Sequence, residues 1–314
     1  GEAALPPWAE SAWVDIEERL GPALLGVAWE RPEDVTDLTG SGDRRAAAAI
    51  DIACWDLWCR ARGVPMAHAL GGTRTAVVTG ARLVAEPPLD SLVCRVNRYA
   101  GGGYARVTVD IRPGWDVEPV RAIRQAYPAL ALVADAAGHY SEAPEHLAVL
   151  EALDAYGLLA IERPLPPGDL AEHARLQRQL ATPICPDIRD IETLDTALTL
   201  GAGRALSVSV DRFGGLTNAR AAHDRAYAAG WDVWCSGGGP FGIGQAATIA
   251  VASLPGCTLP SDVTQIGGGP TFVSPPVRAS GGVVAVPLTQ PGLGHDIDDA
   301  RITRLATRAL RIPA

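Results

Sequence analysis

Three acids recur at even intervals through the middle of the chain: Asp135 in LALVADA, Glu162 in LLAIERP and Asp187 in TPICPD. They lie 27 and 25 residues apart, and each closes a short β-rich run. If those runs are neighbouring strands, the three carboxylates meet at one edge. Converging anions repel unless a cation sits among them, and an all-oxygen set favours a hard divalent ion. Mg²⁺ is the first choice and Mn²⁺ its substitute; no metal is held if the site is degenerate. The opposing reading is three strand-end charges facing solvent or arginines. A fourth acid, Asp110, ends RVTVDI. No ammonium stands near any of them, because the chain has no lysine and all 27 of its basic residues are Arg. A guanidinium stays protonated at any working pH, so it serves neither as an amine base nor in a Schiff base.

The elements that would carry these residues follow a repeating pattern. Residues 1–73 read as mainly helical: AESAWVDIEERL, punctuated by Gly21 and Pro22, and then an Ala-rich helix from about Arg44 to Arg62, stopped by Gly63 and Pro65. From residue 74, eight β-rich runs recur: TAVVTGARLV, ARVTVDI, LALVADA, LLAIERP, TPICPD, RALSVSV, WDVWCSG and CTLPSD. Helix-like stretches separate them. This is the pattern of a (β/α)8 barrel over 74–280. A doubly wound open sheet is the alternative, but no GxGxxG opens a helix. Residues 281–314, with GGVVAVPLTQPGLG, are expected to pack back on the N-terminal helices. In a barrel, catalytic groups sit at the C-terminal ends of strands, where these acids fall.

Composition excludes several classes. A net charge of −9 argues against nucleic acid or anionic membrane as partner. No run of 18 apolar residues and no signal-peptide pattern is present. Six scattered cysteines form no CxxC pair, which reads as reduced, buried thiols in a cytoplasmic protein.

Seven stretches carry a family resemblance: AAAAIDIACWDLWCRARGVPMAHALGG, GYARVTVDIRPGWDVEPVRAIR, LLAIERPL, LATPICPD, LGAGRALSVSVDRFGGLTNA, VWCSGGGPFGIGQAA and QPGLG. Together they resemble the muconate-lactonizing subgroup of the enolase superfamily, nearest to o-succinylbenzoate synthases and N-acylamino-acid racemases. The resemblance implies an α/β fold, a modified (β/α)8 barrel under an N-terminal cap domain that is shortened here. It implies Asp135, Glu162 and Asp187 as Mg²⁺ ligands, a small-molecule substrate and a homo-oligomer. The family's basic residues do not match. Its Lys-x-Lys positions read Thr108 and Asp110, its third Lys reads Ser209, and further polar positions read Ile188, Ala137 and Pro240.

The family chemistry removes a proton next to a carboxylate, so its loss of lysines points to a changed reaction. The leading expectation is a repurposed lysine-free lyase, isomerase or cyclase acting on a carboxylate or carbonyl compound, with Mg²⁺ as Lewis acid. The others are an inactive scaffold and a metal-free cyclase with an apolar mouth. Asp110 is a candidate base, a fourth metal ligand, or an ion-pair partner of Arg106, Arg189 or Arg212. His139, on the loop after Asp135, is a second proton-transfer candidate, and Ser209 completes the catalytic set. Thr108, Arg189, Arg212 and Phe241 are candidate substrate contacts. Ile188, Ala137, Pro240 and Phe241 suggest an apolar mouth. His68, His146, His173 and His223 read as structural.

Overall fold

Asp43 starts the longest helix by accepting from the backbone N–H groups of Arg45 (2.8 Å) and Ala46 (3.2 Å), an N-cap that satisfies otherwise orphaned donors. The helix runs Arg44–Arg62 and stops at Gly63, whose φ of 67° is the left-handed turn that glycine adopts without penalty. The structure, a computed structural model, describes residues 1–3, 10–84, 86–264 and 271–312. Before this helix, Gly21 and Pro22 do not end the first one. Helical turns continue from Ser11 to Leu25, because Ile16–Leu20 widen into a π turn in which the Gly21 N–H reaches Ile16 O. That widening removes the need for a donor that Pro22 lacks.

The run TAVVTGARLV splits at Thr79. β1 (Ala76–Val78) pairs antiparallel with a later strand, Val283–Ala285, and β2 (Gly80–Leu83) opens the barrel. Thr79 makes the break: its N–H and its hydroxyl both donate to Gly282 O at 2.8 Å. Parallel pairing then joins β2 to β3 (Arg106–Asp110), β4 (Ala131–Asp135), β5 (Ala160–Glu162) and β6 (Ile184–Cys185). β7 (Ala205–Val208) and β8 (Asp232–Cys235) form a second parallel pair. The eighth position is held by the extended segment 259–262. Its Leu259 and Asp262 N–H groups donate to Val233 and Cys235, and Ser261 exchanges bonds with Val78 and Gly80, closing the ring. Across the β6–β7 seam, among the described residues, one backbone bond runs from Arg204 N to Ile184 O (3.0 Å).

One apolar cluster fills the β2–β6 half, with Val107, Val109, Leu132 and Ile161 against outer-helix residues Leu92, Val96, Ile123 and Leu150. Another joins Ile52, Trp55 and Cys59 of the long helix to Val208, Phe213, Leu216 and Ile249 of the other half. A small third cluster, with Val133, Cys185 and Trp234, packs inside the ring. The C-terminal segment returns to the long helix: Leu293 N donates to Asp56 (2.8 Å) and Arg60 donates to His295 O (2.9 Å). Among the described residues, no helix is long and apolar enough to cross a membrane. Five of the six cysteines are buried and Cys94 is exposed; all are free.

Candidate active site

The strand register places acids in a row. Asp110 on β3 is level with Asp135 on β4, which is level with Glu162 on β5. Glu162 is level with Cys185 on β6, so Asp187 lies two residues past the row. Of the expected trio, Asp135 and Glu162 are level on adjacent strands and Asp187 follows the end of the next one, while Asp110 extends the row at its other end.

Arginines answer this row. Arg82, reaching up from β2, donates to Glu162 Oε2 (2.6 Å) and to Asp135, and lies 3.5 Å from Asp110. Arg163 donates through Nε to Asp135 Oδ1 (2.9 Å) and through Nη2 to Oδ2. Its φ of 50° is uncommon for a side-chain-bearing residue and turns the chain directly after Glu162. Asp187 is held by Arg189 (2.6 Å) and Arg212 (2.7 Å). Burial opposes ionisation of Asp135 and Asp187, but these guanidiniums outweigh it and hold both carboxyls below the usual range. Asp110 differs. Burial and the Asp135 charge outweigh Arg82 and push its carboxyl up.

A cavity of about 650 Å³ opens at this end of the barrel, lined by Arg82, Asp110, Glu162, Arg163, Ser209 and Arg212, with Ser236, Gln245 and Asp262. Charged and polar side chains share the lining with Val84 and Pro240; of the residues expected to make the mouth apolar, Pro240 lines it, whereas Ile188 turns into the core and Phe241 stacks on Phe272 at 4.8 Å. Phe241 thus belongs to a separate hollow with Trp13 and Leu305. Of the sequence candidates, Asp110, Ser209, Arg212 and Glu162 reach the cavity. Thr108 is buried a layer deeper, accepting from Arg106 (2.8 Å). Arg106 pairs with Asp262 (2.7 Å), and Arg189 and Arg212 with Asp187, so the partner of Asp110 is Arg82 rather than any of those three. His139 is exposed on its loop and does not line the cavity.

Two family models cover the chain. One described as enolase C-terminal domain-like matches residues 91–301, and one for the mandelate racemase / muconate lactonizing enzyme N-terminal domain matches residues 1–71. The chain belongs to the enolase superfamily. An o-succinylbenzoate synthase of Geobacillus kaustophilus is 36% identical over 309 residues, covering 95% of this chain and 82% of the relative. An N-succinylamino acid racemase of Thermus thermophilus is 39% identical over 253 residues, 79% of this chain and 68% of that protein. Among solved structures, a superfamily member from Listeria innocua superposes with a TM-score of 0.89 at 30% identity, covering 98% of this chain and 84% of that one.

Members of the superfamily generally bind Mg²⁺, and the residues here do not fit such an ion. A carboxylate offers about four lone-pair sites. All four on Asp135 are taken, by Arg82, twice by Arg163, and by the Ala137 N–H at 3.0 Å. Among the described residues no three His, Cys, Asp or Glu side chains gather as a metal set. Asp135, Glu162 and Asp187, expected as shared Mg²⁺ ligands, are each paired with arginine in this structure. Sequence reasoning missed Arg82 and Arg163. The signal for Arg82 was its place in TGARLV, in alternation with the buried Ala81 and Leu83.

Proposed function

We propose that this chain is a lysine-free lyase or isomerase of the superfamily, acting on a small carboxylate or carbonyl compound at the barrel mouth. The exposure of Asp110 carries the reading. Its side chain is 37% exposed and lines the cavity, whereas Glu162 is 5% and Asp135 0% exposed. It is the row's one carboxylate open to a ligand, and its raised pKa makes it a better base than an ordinary Asp. Arg212, partly exposed and lining the same cavity, would hold the substrate's carboxylate, and Ser209, Ser236 and Gln245 would orient its polar groups. The volume suits a small molecule, within the roughly 300–1,000 Å³ common for ligand pockets. The positions where this chain reads Thr108, Asp110 and Ser209 leave no second base, so a one-base reaction fits better than two-base racemisation.

One contact favours a second reading, binding without turnover: Arg82, 3.5 Å from Asp110, lowers its basicity. Proton exchange decides between them. Incubation in D₂O with N-acyl amino acids or succinylbenzoate-like acids should show exchange at the α-carbon, reduced by roughly 10²–10⁴-fold in Asp110→Asn. Binding of these acids with no exchange would sink the catalytic reading, and unchanged exchange in Asp110→Asn would remove Asp110 from it.

A further inference from the structure

The arginines at the row of acids do more than neutralise surface charge. Asp135 and Glu162 are level on adjacent strands, whose spacing is about 4.8 Å. Both are buried. Two such carboxylates cannot both stay ionised without a cation between them. Arg82 supplies it from an unusual distance. Its own row partner on β3 is Thr108, two residues below Asp110, so its side chain climbs past β3 to reach β4 and β5. Arg163 closes the other side of Asp135. Around the mouth, Asp110, Asp135, Glu162 and Asp187 carry four negative charges, and Arg82, Arg163, Arg189 and Arg212 carry four positive ones. The set is neutral before any ion arrives, and a divalent cation would enter beside two fixed guanidiniums.

We propose that Arg82 is a resident cation: its guanidinium takes the charge-balancing place of a divalent metal among Asp110, Asp135 and Glu162, and keeps metal out. The fold thereby runs this site independently of metal, with a charge fixed to the chain. The inference does not depend on the role given to Asp110, and its failure is read from metal binding rather than from turnover.

The test is a Mn²⁺ titration of the intact chain, with free Mn²⁺ read by electron paramagnetic resonance. The native protein should show no stoichiometric site that depends on Glu162. Arg82→Ala should gain one, binding at least about tenfold tighter than the native chain, and Glu162→Gln in that background should remove it. Stoichiometric binding by the native chain that Glu162→Gln abolishes overturns the proposal. So does a folded Arg82→Ala that binds no more tightly than native. Should Arg82→Ala fold only when Mn²⁺ is supplied, that rescue supports it, since the metal then does the guanidinium's work. If the variant fails to fold in either condition, the native chain decides: Glu162-dependent Mn²⁺ binding overturns the proposal and its absence supports it.

Discussion

Asp135 accepts four hydrogen bonds, three of them from arginines, with its side chain fully shielded from water. Removing one member of a buried, hydrogen-bonded charge set strands the others, at a cost of about 3–5 kcal/mol. Asp135→Ala should therefore lower the urea-unfolding free energy by that order. The Arg175–Glu142 pair, 2.9 Å apart but more than half exposed on both sides, should contribute little; Glu142→Gln should cost less than about 1 kcal/mol. Equal losses in the two variants would show that the mouth network is no more than a surface array. The acids of this network were legible in the sequence, because each ends a β-rich run and strand ends face a barrel's mouth. Their partners were not. Arg82 acts across two strands through a long side chain whose direction no spacing rule specifies, and Arg163 depends on a left-handed backbone turn that no glycine marks.

At the scale of elements, one carboxylate couples the long N-terminal helix to the barrel. Asp51 is fully buried and accepts from the Leu216 N–H (2.6 Å), the Thr217 N–H (3.3 Å) and the Thr217 hydroxyl (2.7 Å), serving the first turn of helix Leu216–Ala228. Trp55 donates to the same Thr217 hydroxyl (2.9 Å). The helix begins at Gly215, with φ of 138°, where a Cβ would lie 2.5 Å from Asp51 Cγ. Gly215→Ala should cost at least roughly 1–3 kcal/mol from backbone strain, measured by thermal melting. Burial pushes the Asp51 carboxyl up to about 7, against its hydrogen bonds to Thr217 and Leu216. A carboxyl raised above its unfolded value of about 3.9 binds its proton more tightly when folded, so its contribution is full below that value and declines as pH rises to about 7. Asp51→Asn has no such titration. The stability difference, native minus variant, should fall across that window and stay flat above it; a difference that rises with pH would refute the assignment. The helix itself was readable from its Ala-rich run and from Gly63. Its docking was not, since Asp51 in IDIAC carries no mark of its distant partner.

Across the whole molecule, the apolar clusters divide the barrel unevenly. Trp55 and Ile52 belong with Val208, Leu216 and Ile249, while β3–β5 pack against their own outer helices. Trp55→Ala should cost about 3–5 kcal/mol. In native-state hydrogen exchange it should expose amides of Arg44–Arg62 and Leu216–Ala228 together, while β3 and β4 keep their protection. Uniform loss of protection would mean that the barrel interior, through Val133, Cys185 and Trp234, binds both halves into one unit. The alternation of strand and helix announced the ring. The uneven closure, secure at 259–262 and thin between β6 and β7, is set by which backbone groups pair across each seam, which no periodicity encodes.

That thin seam has a consequence for anything that enters the mouth. Asp110, Glu162 and Arg163 stand on one side of it, and Ser209, Arg212, Ser236 and Gln245 on the other. A guest touching both walls acts as a strut across the gap. If the opened form does not bind it, its affinity and its concentration together fix the free energy by which it braces the two halves. The tightness of a ligand could be read without any assay of chemistry, from how much it slows the opening of the amides that flank the seam.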